Sequence, residues 1–335
     1  MPIFRNTILA VGAMLIVLLL CHNMDAGTDP LHHTFKPYRF SFDTLLAKQD
    51  SADTAHVVKH RKFTPGIAWA SNNTYQGRRD SVNHYLLSPS FAYEGKYGVA
   101  ASITASHASA STDPPKKDKN GKIIKPAKTP TFDECDLALG YEHDWTDNFN
   151  SGILETHNYF DARSARLQST VDNDVNLNSS YDFKYIAAEA EADWAHGLLT
   201  KYGRSKDYFY TFVLSHDYEF DKIFHSRVEM DIEPKFDAVY GSQTFLQIYT
   251  LGIPSGYVRG SAASDALQKA DYRNELSKYV WLNDEFKLPV TFTNDKWAIG
   301  AEWDYEIPQN VPKGNESTPF SVFILKLTYT FKTIN

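Results

Sequence analysis

Between Arg227 and Tyr240 the chain reads RVEMDIEPKFDAVY. Every second residue is charged: Arg227, Glu229, Asp231, Glu233, Lys235 and Asp237. The positions between them, Val228, Met230, Ile232, Pro234, Phe236 and Ala238, are apolar. An extended chain sends successive side chains to opposite faces, so this stretch predicts a strand with one wet and one dry face. The period recurs along the chain with almost no helical pattern. It predicts strands over Phe63–Asn73, Val82–Glu94, Tyr97–His107, Phe132–Trp145, Phe149–Phe160 and Arg166–Tyr181. It predicts further strands over Tyr185–Trp194, Asp207–Phe220, Arg227–Tyr240, Ser277–Thr291, Lys296–Ile307 and Phe320–Phe331. Phe149–Phe160 fits neither facing cleanly.

Alternation alone does not separate a soluble sheet packed on a core from a barrel wall packed on lipid. The connections do. Short links at 95–97, 146–148, 182–184, 221–224 and 294–296 alternate with longer polar ones at 74–80, 108–130, 161–165, 196–206, 241–276 and 308–319. Short turns on one side and longer loops on the other are the habit of outer-membrane barrels, as is an even strand number. The expectation is therefore an all-β fold, a twelve-stranded antiparallel transmembrane β-barrel of the outer-membrane type, with short periplasmic turns and longer external loops. Aromatics gather beside the short turns and strand ends, as at Tyr97, Tyr141, Trp145, Tyr218, Trp297 and Tyr329, where an interfacial girdle needs apolar rings with polar tips. Four residues resist the pattern. Pro89, Pro234 and Pro289 fall inside predicted strands, where each removes a ladder donor or marks a bulge. Asp284 alternates onto the apolar face, which predicts a bulge or a shorter strand there.

The segment SNNTYQGR at Ser71–Arg78, followed by SPSFAYEGKYGVAASITAS at Ser88–Ser106, resembles the opening strands of outer-membrane porin-like families. Those carry a Ser-Asn/Asp-x-Tyr-x-x-Arg-Gly-like turn and then strands that meet at a Lys-x-Gly turn. Here Gly77 precedes Arg78, a departure from that order. The likeness covers strands one to three and implies the barrel rather than an activity.

Composition adds the compartment. Arg5 followed by the apolar run Ile8–Leu20 reads as a secretory signal, too short to span a bilayer as a helix. Cleavage after Ala26 is expected, with lipid modification at Cys21 as the alternative. Residues 27–62, basic and histidine-bearing, are expected to be a periplasmic segment or a lumen plug, and 63–335 the barrel. With residues 1–26 removed, Cys135 stands alone, which excludes an internal disulfide framework. The formal charge of −7 gives no basic excess for nucleic acid.

Candidate chemistry lies first on the wet face. Glu134, Asp136, Glu142, Glu189, Glu191, Asp193, Arg227, Glu229, Asp231, Glu233, Lys235, Asp237, Glu302, Asp304 and Glu306 are the candidate lumen-lining residues. Carboxylates around a narrow hydrated path favour cations, so a porin-like passive channel for small solutes is the leading expectation. A closed structural or adhesion barrel is the alternative, since both charge signs occur and could pair. A third reading is an outer-membrane hydrolase, for which Ser106, His107 and Ser109, or His216 and Asp217, offer candidate pairs. No lipase-type signature accompanies them. His56 and His60 have the spacing for one helix face but no third ligand, so no metal and no cofactor is expected. Expected partners are outer-membrane lipid and lipopolysaccharide, the barrel-assembly machinery during biogenesis, and small solutes; the lysine-rich loop Pro114–Lys128 is expected to be a solvated external loop, with contact to lipopolysaccharide or a ligand as the alternative.

Overall fold

A computed structural model describes residues 61–72, 74–75, 78–79, 85–95, 97–109, 132–160, 171–183, 185–200, 203–223, 228–244, 276–294, 296–312 and 318–333. Residues 1–60, 110–131 and 245–275 lie outside the description. With them lie the expected signal, most of the basic segment, His56, His60, the lysine-rich loop and Arg227.

The strands are β1 (Arg61–Ala70), β2 (Leu86–Glu94), β3 (Val99–Ala108), β4 (Glu134–Thr146), β5 (Phe149–Phe160) and β6 (Val171–Phe183). They continue as β7 (Ile186–Thr200), β8 (Gly203–Ser215 and Tyr218–Ile223), β9 (Val228–Ile232 and Lys235–Gly241), β10 (Val280–Asn294), β11 (Trp297–Pro308) and β12 (Phe320–Tyr329 and Phe331–Thr333). A minor hairpin, Thr74–Tyr75 with Arg78–Arg79, sits in the first loop, within the segment that carries the porin-like resemblance. Each strand pairs antiparallel with its sequence neighbour, and β12 returns to β1 with Ile67 opposite Leu327 and Ala70 opposite Ile324. The sheet is a closed twelve-stranded barrel, in which the Tyr218–Ile223 end of β8 pairs with β9 alone.

Register fixes the two faces. Leu139, Ile153, Leu177, Phe212, Ile299, Leu325 and Leu327 point outward and are exposed. A ring of exposed aromatics marks the short-turn end at Tyr97, Trp145, Phe149, Phe183, Tyr185, Tyr218 and Trp297. Tyr85, Tyr159, Trp194, Tyr208, Tyr240 and Trp281 mark the loop end. Two amphipathic belts bounding an apolar band are the outer surface of a membrane barrel. Part of the outward face of β2–β4 is buried: Phe91, Ile103, Ala105 and Cys135. Cys135 is disulfide-bonded here, against the expectation that it stands alone, and Cys21, the other cysteine of the chain, lies outside the described residues.

The irregularities have local causes. Gly98 closes the β2–β3 turn at φ +82°, and a Cβ there would lie 1.9 Å from the Glu142 carbonyl oxygen. That backbone conformation and that approach both require glycine. Three interruptions line up across β8, β9 and β10: His216–Asp217, Glu233–Pro234 and the ladder beside Pro289. His216 N donates to Pro234 O and Glu233 N to Pro289 O, each at 3.2 Å, and neither proline has an N–H to return. At Pro89 the β2–β3 ladder skips two rungs without changing register, and Ser88 Oγ and Ser106 Oγ bridge the gap at 2.9 Å.

A bulge does occur next to Asp284, at Leu282 opposite Val239 and Tyr240. It leaves Asp284 on the outward side, opposite Ala238 and Ile307. The carboxylate is satisfied there by Trp281 Nε1 at 2.8 Å and Gln309 Nε2 at 3.0 Å, at the loop-end rim.

Several boundaries differ from the sequence reading, two of them through pairing the alternation does not show. β1 begins at Arg61, because Arg61–Phe63 pair with Phe331–Thr333. The expected long link at 196–206 shrinks to residues 201–202, because β7 and β8 keep pairing to Thr200 and Gly203 around a bulge between Arg204 and Lys206.

Candidate functional site

The inner face divides into three sectors, each set by which residues alternate inward. On β1–β3 it is small and hydroxylated: Thr64, Gly66, Ala68, Ser88, Ser90, Ser102 and Thr104 share the rungs. At the short-turn end of this sector Lys62 Nζ meets Glu94 Oε2 at 3.3 Å.

On β4–β7 the inner face is acidic and amidic. Glu134 and Asp136 come from β4, Asp174 from β6, and Glu189, Glu191 and Asp193 from β7. Asn176 Nδ2 donates to Glu191 Oε2 at 2.9 Å and to Asp193 Oδ1 at 2.6 Å. No lysine or arginine alternates inward among the described residues of these four strands.

On β9–β12 both signs interleave. Lys287 Nζ lies 2.6 Å from Asp237 Oδ2 and 3.2 Å from Glu285 Oε2. Lys326 Nζ lies 2.8 Å from Glu302 Oε2, and Lys235 Nζ 3.1 Å from Glu233 Oε2. Asn283 Nδ2 donates to Glu306 Oε2 at 3.0 Å, and Asp304 is buried opposite Lys287 and Val322. This sector is ordered by pairing, whereas the β4–β7 sector is ordered by amides.

Toward the loop end the inner face turns apolar. Phe209, Val239 and Leu282 cluster with Leu276, which follows the long loop. Across the barrel Leu86, Ala108, Phe320, Val322 and Ile324 form a second cluster with Ala70. The loop's two ends are tied to the wall. Asp207 Oδ1 accepts from Ser242 Oγ at 2.7 Å and Thr244 N at 2.6 Å, and Gln243 N donates to Leu276 O at 2.8 Å.

The sequence candidates fall as follows. Glu134, Asp136, Glu142, Glu189, Glu191, Asp193, Glu229, Asp231, Lys235, Asp237, Glu302, Asp304 and Glu306 alternate onto the inner side of their strands. Glu233 lies at the β9 interruption beside Lys235. They do not converge on one point: Glu142 and Glu229 sit at the short-turn end, and Glu134 and Glu306 near the loops. Asp174, Asp207 and Glu285 share the inner face and are not among the sequence candidates. The alternation Asp174, Asn176, Asn178 carries a readable signal. Glu285 is masked by the adjacent Asp284 and the bulge at Leu282.

The hydrolase candidates are not assembled as a triad. Ser106 alternates inward and bonds Ser88, whereas His107 alternates outward and meets Asp133 Oδ2 at 3.2 Å. Ser109 Oγ accepts from Tyr85 N. His216 bonds the Tyr185 carbonyl beside a short turn, at the opposite end from the rim where an outward-acting hydrolase needs its groups. Among the described residues no group of His, Cys, Asp and Glu has the arrangement to hold a metal ion.

A closed antiparallel barrel with an apolar exterior between aromatic belts and a polar interior is the architecture of membrane channels and related outer-membrane barrels. Comparison with solved structures returns barrels of that kind. The NanC porin is 9% identical with TM-score 0.41, covering 80% of this chain and 98% of its own. The KdgM porin is 8% identical with TM-score 0.41, covering 81% and 99%. An outer-membrane channel from Pseudomonas putida F1 is 11% identical with TM-score 0.39, covering 85% and 100%. LpxR from Salmonella typhimurium is also similar, at 9% identity and TM-score 0.40 over 80% and 100%. No protein-family model and no curated protein matches the sequence.

Proposed function

We propose that this chain is an outer-membrane, porin-like passive channel for small solutes whose interior favours cations. The observation that carries the reading is the β4–β7 inner sector, where Glu134, Asp136, Asp174, Glu189, Glu191 and Asp193 share a wall without an inward lysine or arginine among the described residues. Fixed carboxylates along a narrow hydrated path lower the free energy of a cation and raise that of an anion. The small residues of β1–β3 beside them leave width for a solute. Twelve strands lie between the roughly 8 that side chains fill and the 16–18 that leave an aqueous channel, so width depends on this local composition.

Planar-bilayer recording of the folded protein under a salt gradient tests the reading. A reversal potential of cation-selective sign is expected, and the combined E191Q and D193N substitutions bring it toward zero. Anion preference, or indifference to those substitutions, refutes the cation path.

The second reading is a closed structural barrel. It is favoured by the two apolar clusters at the loop end and by the tethered loop termini. Absence of conductance from folded protein would select it. Lipopolysaccharide and the assembly machinery remain the proposed partners in either case.

A further inference from the structure

The short-turn rim of the barrel is not level. β7 meets β8 down to Ala187 opposite Ser215, and β8 then runs on as Tyr218–Ile223. Among the described strands that extension pairs with β9 alone. Its other side is a strand edge at the membrane boundary, where Tyr218 and Phe220 point outward and are exposed. A strand edge offers backbone N–H and C=O groups to a further strand, and lipid cannot satisfy them.

The inner side of the same extension is acidic. Glu219 stands on the rung of Asp231, and Glu229 lies two residues along β9 on the same face. Like charges on facing positions destabilise a strand pair, so a cation on the next strand over relieves this wall. The edge therefore fits a strand with aromatics outward and a cation inward.

Such a stretch lies in the N-terminal segment. Tyr38–Asp43 reads YRFSFD, in which Tyr38, Phe40 and Phe42 alternate with Arg39, Ser41 and Asp43. Laid along the edge, its aromatics extend the outward row of Tyr218 and Phe220, and Arg39 comes to the inner side beside Glu219. Residues 44–60 lead from it to Arg61, which opens β1 at the same short-turn end, opposite Thr333. That link reaches about 50 Å when extended, whereas the rim from β8 round to β1 is a few strand spacings of about 4.8 Å each. We infer that Tyr38–Asp43 adds to the open edge of β8 as a strand at the periplasmic rim, which ties the N-terminal segment to the barrel and keeps it out of the lumen. The inference stands apart from the channel reading, because it concerns the rim and not conduction.

Hydrogen–deuterium exchange of the folded full-length protein in detergent reads the edge directly. In an antiparallel pair alternate residues bond to opposite neighbours, so the amides of Tyr218–Ile223 divide between the β9 side and the edge side. Wild type is expected to protect both halves. R39P/F40P removes the donors on both sides of the added strand. It should speed exchange of the edge half by roughly tenfold or more and leave the β9 half slow, with the heat-dependent gel shift of an intact barrel retained. A second reading uses cysteine pairs in a C21S/C135S background and does not need that variant to fold. R39C/E219C is expected to form an intrachain disulfide under copper–phenanthroline oxidation, and R39C/E142C, on a distant strand of the same rim, is not. Fast exchange of the edge half in wild type, edge protection unchanged in R39P/F40P, or equal cross-linking of position 39 to positions 219 and 142 would each overturn the added strand.

Discussion

Lys287→Met is the most informative single change in the barrel wall. The methionine keeps most of the side-chain volume and removes the charge. Lys287 is the cation that sits between Asp237 and Glu285, with Asp304 on the facing rung. Its side chain is 24% exposed and that of Asp237 is 8%. Removing one partner of a fully buried pair costs roughly 3–5 kcal/mol, because the carboxylate left behind keeps its desolvation penalty. With a quarter of the lysine side chain open, a value just below that range is appropriate, about 2–3 kcal/mol. Asn283 and Glu306 nearby add an acceptor but no cation. Tryptophan-fluorescence unfolding in urea, run where folding in lipid vesicles is reversible, reads the loss. Lys287→Met combined with Asp237→Asn should regain part of it, since the orphaned charge is then gone. A loss under 0.5 kcal/mol, or no recovery in the double variant, would show that the β9–β11 charges are individually solvated and that the mixed-sign sector is not a bonded network.

Two further outcomes follow from the wall. Gly98→Ala forces a positive-φ alanine and pushes its Cβ into the Glu142 carbonyl. The backbone conformation alone costs roughly 1–3 kcal/mol, and the yield of folded barrel on refolding into vesicles should fall, with Gly98→Asn less damaging than Gly98→Val. For single-tryptophan variants that retain Trp145 or Trp297 in the short-turn belt, lipids brominated near the headgroup should quench more than lipids brominated near the chain end. The reverse order would place those residues at mid-bilayer and void the belt assignment.

The fold was largely legible because a barrel writes itself in local code. In β7, Glu189, Glu191 and Asp193 against Ala188, Ala190 and Ala192 state both the strand and its two faces, and pairing with β6 and β8 adds no exception there. β5 was not legible, for the same reason in reverse. Its outward row includes Ser151, Glu155 and His157 and its inward row Leu154, so period two is present but polarity does not follow it. The outcome at the prolines was half visible. Each announces a missing donor, but that Pro234 and Pro289 fall on adjoining strands beside the His216–Asp217 gap depends on register, which sequence spacing does not carry. The inner acids could be named one by one. Which carried lysine and which carried asparagine could not, because Lys287 reaches Asp237 across a strand pair 50 residues apart, and Asn176 reaches Asp193 across another.

The aligned interruptions in β8, β9 and β10 also bear on the mechanics of the cylinder. A closed barrel resists widening through its hydrogen bonds, which act as hoops around the axis. At the level of Pro234 and Pro289 the hoop is thinned on one side to two bonds of 3.2 Å, while the β9–β10 ladder resumes on either side at Ala238–Asp284 and Met230–Phe292. Lateral pressure from the bilayer will therefore make the cross-section oval at that level first, with the crease as the fold line. The cylinder has a built-in direction of give, set by two residues that cannot donate a bond.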